Sequence, residues 1–186
     1  DDQSDKFSRL EVINLETAEF VMQTQQKGKV DSLCFSTSDQ YFGCYDTLRS
    51  LVSTPYALVQ AGGGSAEEKA ALVAEGKRLG VDVFCMPRLS QAALVGVVRG
   101  AHAMVSHAHH EPFGFTPLEA MAVGVPPIMV DEGGFHYTMT GSGAGVLVQR
   151  GDRKGWLAAY EAAGDEEMRA ASVSYTHLTL PTRLLV

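Results

Sequence analysis

An α/β domain, a mostly parallel sheet wound by helices on both faces, is the architecture that this 186-residue sequence predicts. Three observations carry that expectation. From Asp31 onward, short β-rich apolar runs alternate with helical patterns, and Gly, Pro or Ser separates them. The runs are brief and largely apolar rather than alternating, as strands covered on both faces are. Two of the intervening helices also carry capping signals at their starts and glycines at their ends.

Taken in order, Phe7–Val21 reads as a strand followed by a helix, and the polar stretch Gln23–Lys29 as a linker. Strands are then expected at Leu33–Thr37, Ala57–Gln60, Val81–Met86, His102–Val105, Ile128–Val130 and Gly145–Val148. Helices are expected near Gly43–Leu51, Ala66–Leu79, Gln91–Arg99, Pro117–Val123 and Arg153–Ala163. Ser65 with Glu68 forms a capping box for the second of these, and Gly80 supplies its stop. Thr116 with Glu119 forms another, with Pro117 at the first helical position and Gly124 past the end. Repeated strand–helix–strand units with short connections imply right-handed crossovers and a parallel sheet. The result is a single Rossmann-like, doubly wound domain over residues 31–172, preceded by a linker or interdomain remnant over 1–30.

The segment 173–186 breaks from the Ala/Glu-rich helical pattern before it. Val-Ser-Tyr-Thr-His-Leu-Thr-Leu-Pro-Thr-Arg-Leu-Leu-Val resembles translated sequencing-adapter read-through of the kind met in environmental gene assemblies. It is expected to be a non-native tail and is set aside from fold reasoning.

Composition narrows the function classes. A hydrophobic share of 45% supports one domain with a real core, and a charged share of 20% argues against wholesale disorder. With 22 acidic residues against 15 basic ones, the chain lacks the excess of a nucleic-acid binder. Cys34, Cys44 and Cys85 are odd in number and show no paired metal spacing, which fits buried thiols in a reducing, cytoplasmic compartment. No apolar run approaches the ~20 residues of a membrane span. The first residues, Asp-Asp-Gln-Ser-Asp, show no signal-peptide pattern and read like a chain entered partway through.

The chemistry concentrates between His107 and Glu119, where a strand ends, a Pro/Gly loop follows and a short helix begins. The first amides of a helix have no internal partners and carry partial positive charge. Gly114 permits close backbone approach, so the amides of Gly114, Phe115 and Thr116 form a candidate cradle for a diphosphate. Glu111 and Glu119 flank it with carboxylates suited to accepting from sugar hydroxyls. His109 and His110 sit beside Glu111; with His102 and His107 they lack the converging second element that a zinc site needs, so no metal is expected. Gly62-Gly63-Gly64 precedes a capped helix without the full spacing of a dinucleotide fingerprint. Trp156 reads as a packing anchor.

The stretch Glu111-Pro-Phe-Gly-Phe-Thr-Pro-Leu-Glu119-Ala-Met-Ala-Val-Gly124-Val-Pro closely resembles the Glu-x7-Glu signature of family 4 (group 1) retaining glycosyltransferases. Val130-Asp-Glu-Gly-Gly134 resembles that family's strand and Gly-Gly turn, and Gly143-Ala-Gly-Val-Leu-Val148 its later strand. The resemblance implies the C-terminal, donor-binding half of a GT-B fold, in which two Rossmann-like domains face each other across a cleft. It implies that Glu111 contacts the donor sugar near its anomeric carbon as the catalytic carboxylate. His110 and the backbone from Phe113 through Gly114 and Phe115 to Thr116 would hold sugar and diphosphate. Glu119 would accept from the ribose hydroxyls, and Arg88–Leu89 would lie against the base. A nucleotide-diphosphate sugar is then the co-substrate and no further cofactor is required. The partner domain would supply the acceptor site, so the isolated chain would transfer little or no hexose. Membrane contact of the parent through that other half is left open.

One departure stands out. Where the family's first strand ends in Gly-Arg, with Lys-Gly following, this chain places Thr37 and Phe42, neither of which neutralises a phosphate. Arg49 and Arg88 are the obvious cations that could be recruited in their place. The alternative reading is therefore a non-catalytic nucleotide-sugar-binding or regulatory module of the same fold. An epimerase or phosphorylase of GT-B type is disfavoured by the Glu-Pro-Phe-Gly loop, and a dinucleotide oxidoreductase by the missing glycine fingerprint.

Overall fold

A computed structural model describes residues 7–13, 20–27, 33–37, 41–61 and 64–179, with side chains described from Gly43 to Ala61 and from Gly64 to Tyr175. The chain opens with an antiparallel ribbon of β1 (Phe7–Ile13) and β2 (Phe20–Lys27). The stretch 14–19, on which the expected helix falls, lies outside the described residues, and most of the expected linker Gln23–Lys29 belongs to the second strand. Its polar residues sit opposite β1, Thr24 facing Leu10 and Gln25 facing Arg9. A two-strand ribbon needs a backbone ladder but no continuous apolar run, so hydrophobic patterning does not reveal it.

The rest is a six-stranded parallel sheet. Its strands are β3 (Leu33–Thr37), β4 (Ala57–Ala61), β5 (Val83–Cys85), β6 (Ala103–Ser106), β7 (Pro127–Val130) and β8 (Val146–Val148). They are ordered β5-β4-β3-β6-β7-β8, with every neighbouring pair parallel. The chain builds outward from β3 to β5, returns to β6, and builds outward again. Strand order therefore reverses between β3 and β6, the switch point at which ligands sit in such sheets, beyond the carboxyl ends. The single doubly wound, Rossmann-like α/β domain is the architecture found.

The helices are α1 (Tyr41–Ser50), α2 (Ala66–Leu79), α3 (Gln91–Arg99), α4 (Phe115–Ala122), α5 (Gly133–Met139), α6 (Arg153–Ala162) and α7 (Glu166–Thr179). α1 packs with α2 and α6, whereas α4 packs with α5 and α7. Right-handed crossovers running in opposite directions put these two groups on opposite faces. Between them lies the core, in which Leu58, Met104, Val105 and Ile128 from the strands meet Leu48, Leu72, Met121 and Tyr160 from the helices.

The capping box of α2 is present as read. The Ser65 hydroxyl accepts from the Glu68 amide at 3.2 Å, and the Glu68 carboxylate accepts from the Ser65 amide at 2.7 Å. The one expected for α4 is absent: that helix starts two residues earlier, its N-cap is Gly114 in the left-handed region at φ 70°, and no side chain caps it. Thr116 consequently lies inside the helix. Two helices were not foreseen. α5 begins with paired glycines and holds a β-branched Thr138, which lowers intrinsic propensity, and the burial of Phe135 and Met139 one turn apart secures it. α7 runs on through Thr179, so the expected boundary at 172/173 falls within a helix. The last residues, 180–186, lie outside the described residues.

Candidate functional site at the carboxyl ends of the strands

The loop from His107 to Gly114 leaves the end of β6, directly beside the switch point. Its first residue is fastened on three sides. The Thr47 hydroxyl of α1 donates to the Gly43 carbonyl at 2.9 Å, so the 2.9 Å contact between Thr47 and His107 Nδ1 has imidazole N–H donating to hydroxyl oxygen. The ring stacks on Trp156 with centroids 3.7 Å apart, and the side chain is buried. Burial, aided by the nearby Arg150 and His109 charges, pushes the His107 pKa down to about 3, leaving the imidazole neutral. Gly43 lets α1 meet this loop closely: a Cβ there would stand 3.2 Å from the Ala108 nitrogen.

His110 takes a positive φ of 56°, a conformation that costs a non-glycine residue energy and tends to concentrate at functional sites. The Glu111 carboxylate folds back over the loop and accepts from the amides of Phe113 (3.3 Å) and Gly114 (3.0 Å). One of the three amides expected to cradle a diphosphate, that of Gly114, is therefore already held by Glu111. The amides of Phe115 and Thr116, in the first turn of α4, belong to the set that a helix leaves without internal partners.

This loop is interlocked with the start of α5. The Gly134 amide donates to the Glu111 carbonyl at 2.7 Å. A Cβ on Gly114 would stand 2.7 Å from Gly134 backbone, one on Gly134 would stand 2.6 Å from the Gly114 nitrogen, and one on Gly133 would stand 2.6 Å from the Glu111 carbonyl oxygen. Phe113 and Phe115 face outward, 67% and 61% exposed, with their rings stacked 5.7 Å apart. Glu119 lies one turn into α4, where surrounding protein raises its carboxyl pKa by desolvation.

Arg88, exposed, and Leu89, half-buried, follow β5 at the same edge of the sheet. Three strand spacings, about 14 Å, separate β5 from β6. Thr37 ends β3, but its side chain, like that of Phe42, lies outside the described residues, as do Gly62 and Gly63.

Sequence reasoning missed Arg150, because its partners come from three distant segments. Its Nε and one terminal nitrogen make a bidentate pair with Glu132 at 2.8 and 2.9 Å, and the other terminal nitrogen donates to the His107 carbonyl at 3.1 Å and reaches Asp46 at 3.5 Å. The hydrogen bond from Arg150 holds the Glu132 carboxyl below its ordinary range. The guanidinium thereby ties the end of β6, the end of β7 and α1 together. A second unforeseen group is His136, whose Nδ1 lies 2.6 Å from Asp131, itself accepting from Gln149 at 2.8 Å. Among the described residues, no three His, Cys, Asp or Glu side chains converge as a metal ion requires, and no helix is long and apolar enough to cross a membrane.

Residues 44–176 match the family described as Glycosyl transferases group 1. The lipopolysaccharide core biosynthesis mannosyltransferase LpsB of Rhizobium meliloti is 37% identical over 78 residues, covering 41% of this chain and 22% of that protein. The D-inositol 3-phosphate glycosyltransferase of Segniliparus rotundus is 29% identical over 129 residues, covering 67% of this chain and 29% of its own. The chain thus spans less than a third of the length of these curated relatives. Among solved structures, sucrose-phosphate synthase from Thermosynechococcus elongatus superposes with a TM-score of 0.67 at 22% identity, over 80% of this chain and 41% of that one. TarM superposes with a TM-score of 0.62 at 16% identity, over 82% and 33%. These likenesses give the fold: the mixed α/β architecture of a GT-B domain.

Proposed function

Because this chain belongs to the glycosyl transferases group 1 family, we propose that its switch-point edge binds a nucleotide-diphosphate sugar and forms the donor half of a retaining hexosyltransferase. The observation that carries this reading is the interlocked loop from His110 to Thr116, which presents a strained His110, two exposed stacked aromatics and the open amides at the head of α4. In this reading Glu111 serves as the catalytic carboxylate, oriented by the Phe113 and Gly114 amides so that its second oxygen faces the sugar near the anomeric carbon. His110 and the backbone from Phe113 to Thr116 hold sugar and diphosphate, Glu119 accepts from the ribose, and Arg88–Leu89 lie along the base. The donors aimed at the departing diphosphate replace a metal ion. The acceptor comes from a second domain facing this edge, so the chain alone binds donor without appreciable transfer.

Thermal unfolding of the whole chain with UDP, GDP, ADP and their sugar conjugates, repeated with Glu119→Ala, tests this. Ligand at ~100 times its dissociation constant stabilises by about 2.7 kcal/mol. A rise with one nucleotide that disappears in Glu119→Ala is the expected outcome. A folded protein that responds to none of them overturns the donor reading. One observation favours a binding module without catalysis: the Thr37 and Phe42 positions, where an Arg and a Lys would grip the diphosphate. In that case nucleotide still binds, but a chain carrying both domains shows neither transfer nor hydrolysis of the donor, and either activity sinks this second reading.

A further inference from the structure

Beside the donor loop, on the other side of His107, α1 and the start of α6 enclose a second cleft of about 450 Å³. Arg49 of α1, Arg150 of the β8–α6 connection and Arg153 at the head of α6 line it, against a single lining carboxylate, Asp46. Three guanidiniums gathered around one opening are unexpected on a chain whose net charge is −7. Glu132 takes the bidentate face of Arg150 from outside the cleft, and Asp46 is shared between Arg49 at 3.3 Å and Arg150 at 3.5 Å. The Arg153 guanidinium donates to the Val52 carbonyl, at 3.2 Å, and pairs with no carboxylate among the described residues.

The aromatic floor of the cleft adds an independent observation. Trp156, 2% exposed, stacks on His107, and its indole N–H has no acceptor among the described residues. A buried donor without a partner costs free energy that an incoming acceptor recovers.

We propose that this cleft is a phosphoryl-binding site, taking a small phosphate ester whose oxyanion lies among Arg49, Arg150 and Arg153 and whose uncharged body rests on Trp156. Arginine forks arriving from three elements suit a tetrahedral oxyanion better than a planar carboxylate, which one fork saturates. The volume exceeds what a bare ion fills and lies in the range of small-molecule sites. This inference does not rest on the donor reading, because Arg49, Arg150, Arg153 and Trp156 all lie outside the segment from His110 to Thr116 assigned to the nucleotide-sugar. Through the bond from Arg150 to the His107 carbonyl, the two sites share one wall.

Trp156 is the chain's single tryptophan, so its fluorescence reports on the cleft directly. The whole chain is titrated with inorganic phosphate, glucose 6-phosphate and UDP, with glucose and potassium chloride at matched ionic strength as controls. A saturable change with at least one phosphate-bearing probe and with neither control is expected. The midpoint should move at least about tenfold in Arg49→Gln/Arg153→Gln, two solvent-facing positions whose loss leaves the melting temperature within a few degrees. No saturable change, a change reproduced by potassium chloride, or an unaltered midpoint in the double variant overturns the proposal. Glu119→Ala separates the sources of the phosphoryl group. A UDP response lost in Glu119→Ala as well as in the arginine variant identifies the donor's own diphosphate. A glucose 6-phosphate response that survives Glu119→Ala identifies a separate phosphate ester. Loss of nucleotide stabilisation alone sinks the donor reading and leaves the cleft standing.

Discussion

At the scale of single residues, His107 is the most constrained group at the site. Its Nδ1–H is committed to Thr47, its ring to Trp156 and its carbonyl to Arg150. Burial, with the nearby Arg150 charge, opposes the imidazolium more strongly than these contacts favour it, so the pKa lies at about 3 when folded against an ordinary value near 6.5. Between those values the unfolded chain binds a proton that the folded chain refuses. Stability therefore rises with pH through this window: it is fully present above about 6.5 and lost progressively as the pH falls toward 3, by at most about 5 kcal/mol. The half-buried His102, also shifted downward chiefly by burial, contributes with the same sign. Urea melts between pH 4 and 7 should show this slope, and His107→Gln, which keeps an amide donor for Thr47, should flatten it. An unchanged slope in that variant would show that His107 is not the buried neutral group. No pattern in the sequence identifies this role, because the contacts of His107 come from residues 47, 150 and 156, whereas its neighbours His109 and His110 look alike in sequence and differ in surroundings.

At the scale of elements, the site is a lock between two turns. Gly114, which heads α4, and Gly133–Gly134, which head α5, pack backbone against backbone. The sequence makes the glycines visible and their resemblance to a family turn readable, but not that each is the reason for the other. The same contact explains why the expected Thr116 capping box is absent. With Gly114 held against Gly134, and with its amide and that of Phe113 taken by Glu111, the helix begins at Phe115 and Thr116 is drawn into the first turn. Gly134 has no room for a Cβ, whereas Gly80, at φ 69°, has open space. Gly134→Ala should therefore cost about 3 kcal/mol through steric overlap, and Gly80→Ala only about 1 kcal/mol through its backbone conformation. Gly134→Ala should also abolish any nucleotide-dependent rise in melting temperature. Equal, small losses of stability in the two variants would mean that the two turns are not locked together.

At the scale of the molecule, strand and helix placement was legible because the strands of the sheet are short, largely apolar runs bounded by turn residues. The six expected strands and five expected helices all occur, with ends displaced by a few residues at most. What escaped was whatever tertiary contacts decide: the polar second strand of the ribbon, α5, and the course of α7. For α7 the composition change at Val173 masks a continuing helix, whose Ser172 hydroxyl donates to the Ala144 carbonyl at 2.6 Å and whose Tyr175 hydroxyl donates to the Thr138 carbonyl at 3.4 Å. Tyr175 also packs against the core, and Val173 lies 3.2 Å from where a Cβ on Gly124 would stand. Helix α7 thus braces α4, which carries Glu119, and α5, which carries half of the glycine lock. A chain ending at Ser172 loses a half-buried aromatic and the last two turns of that brace, a cost of about 2 kcal/mol by area. For a protein of this size that lowers the melting temperature by roughly 4–8 °C relative to a chain ending at Thr179. If the two truncations melt together, the segment from Val173 to Thr179 contributes nothing to the fold, and the composition change marks the structural boundary after all.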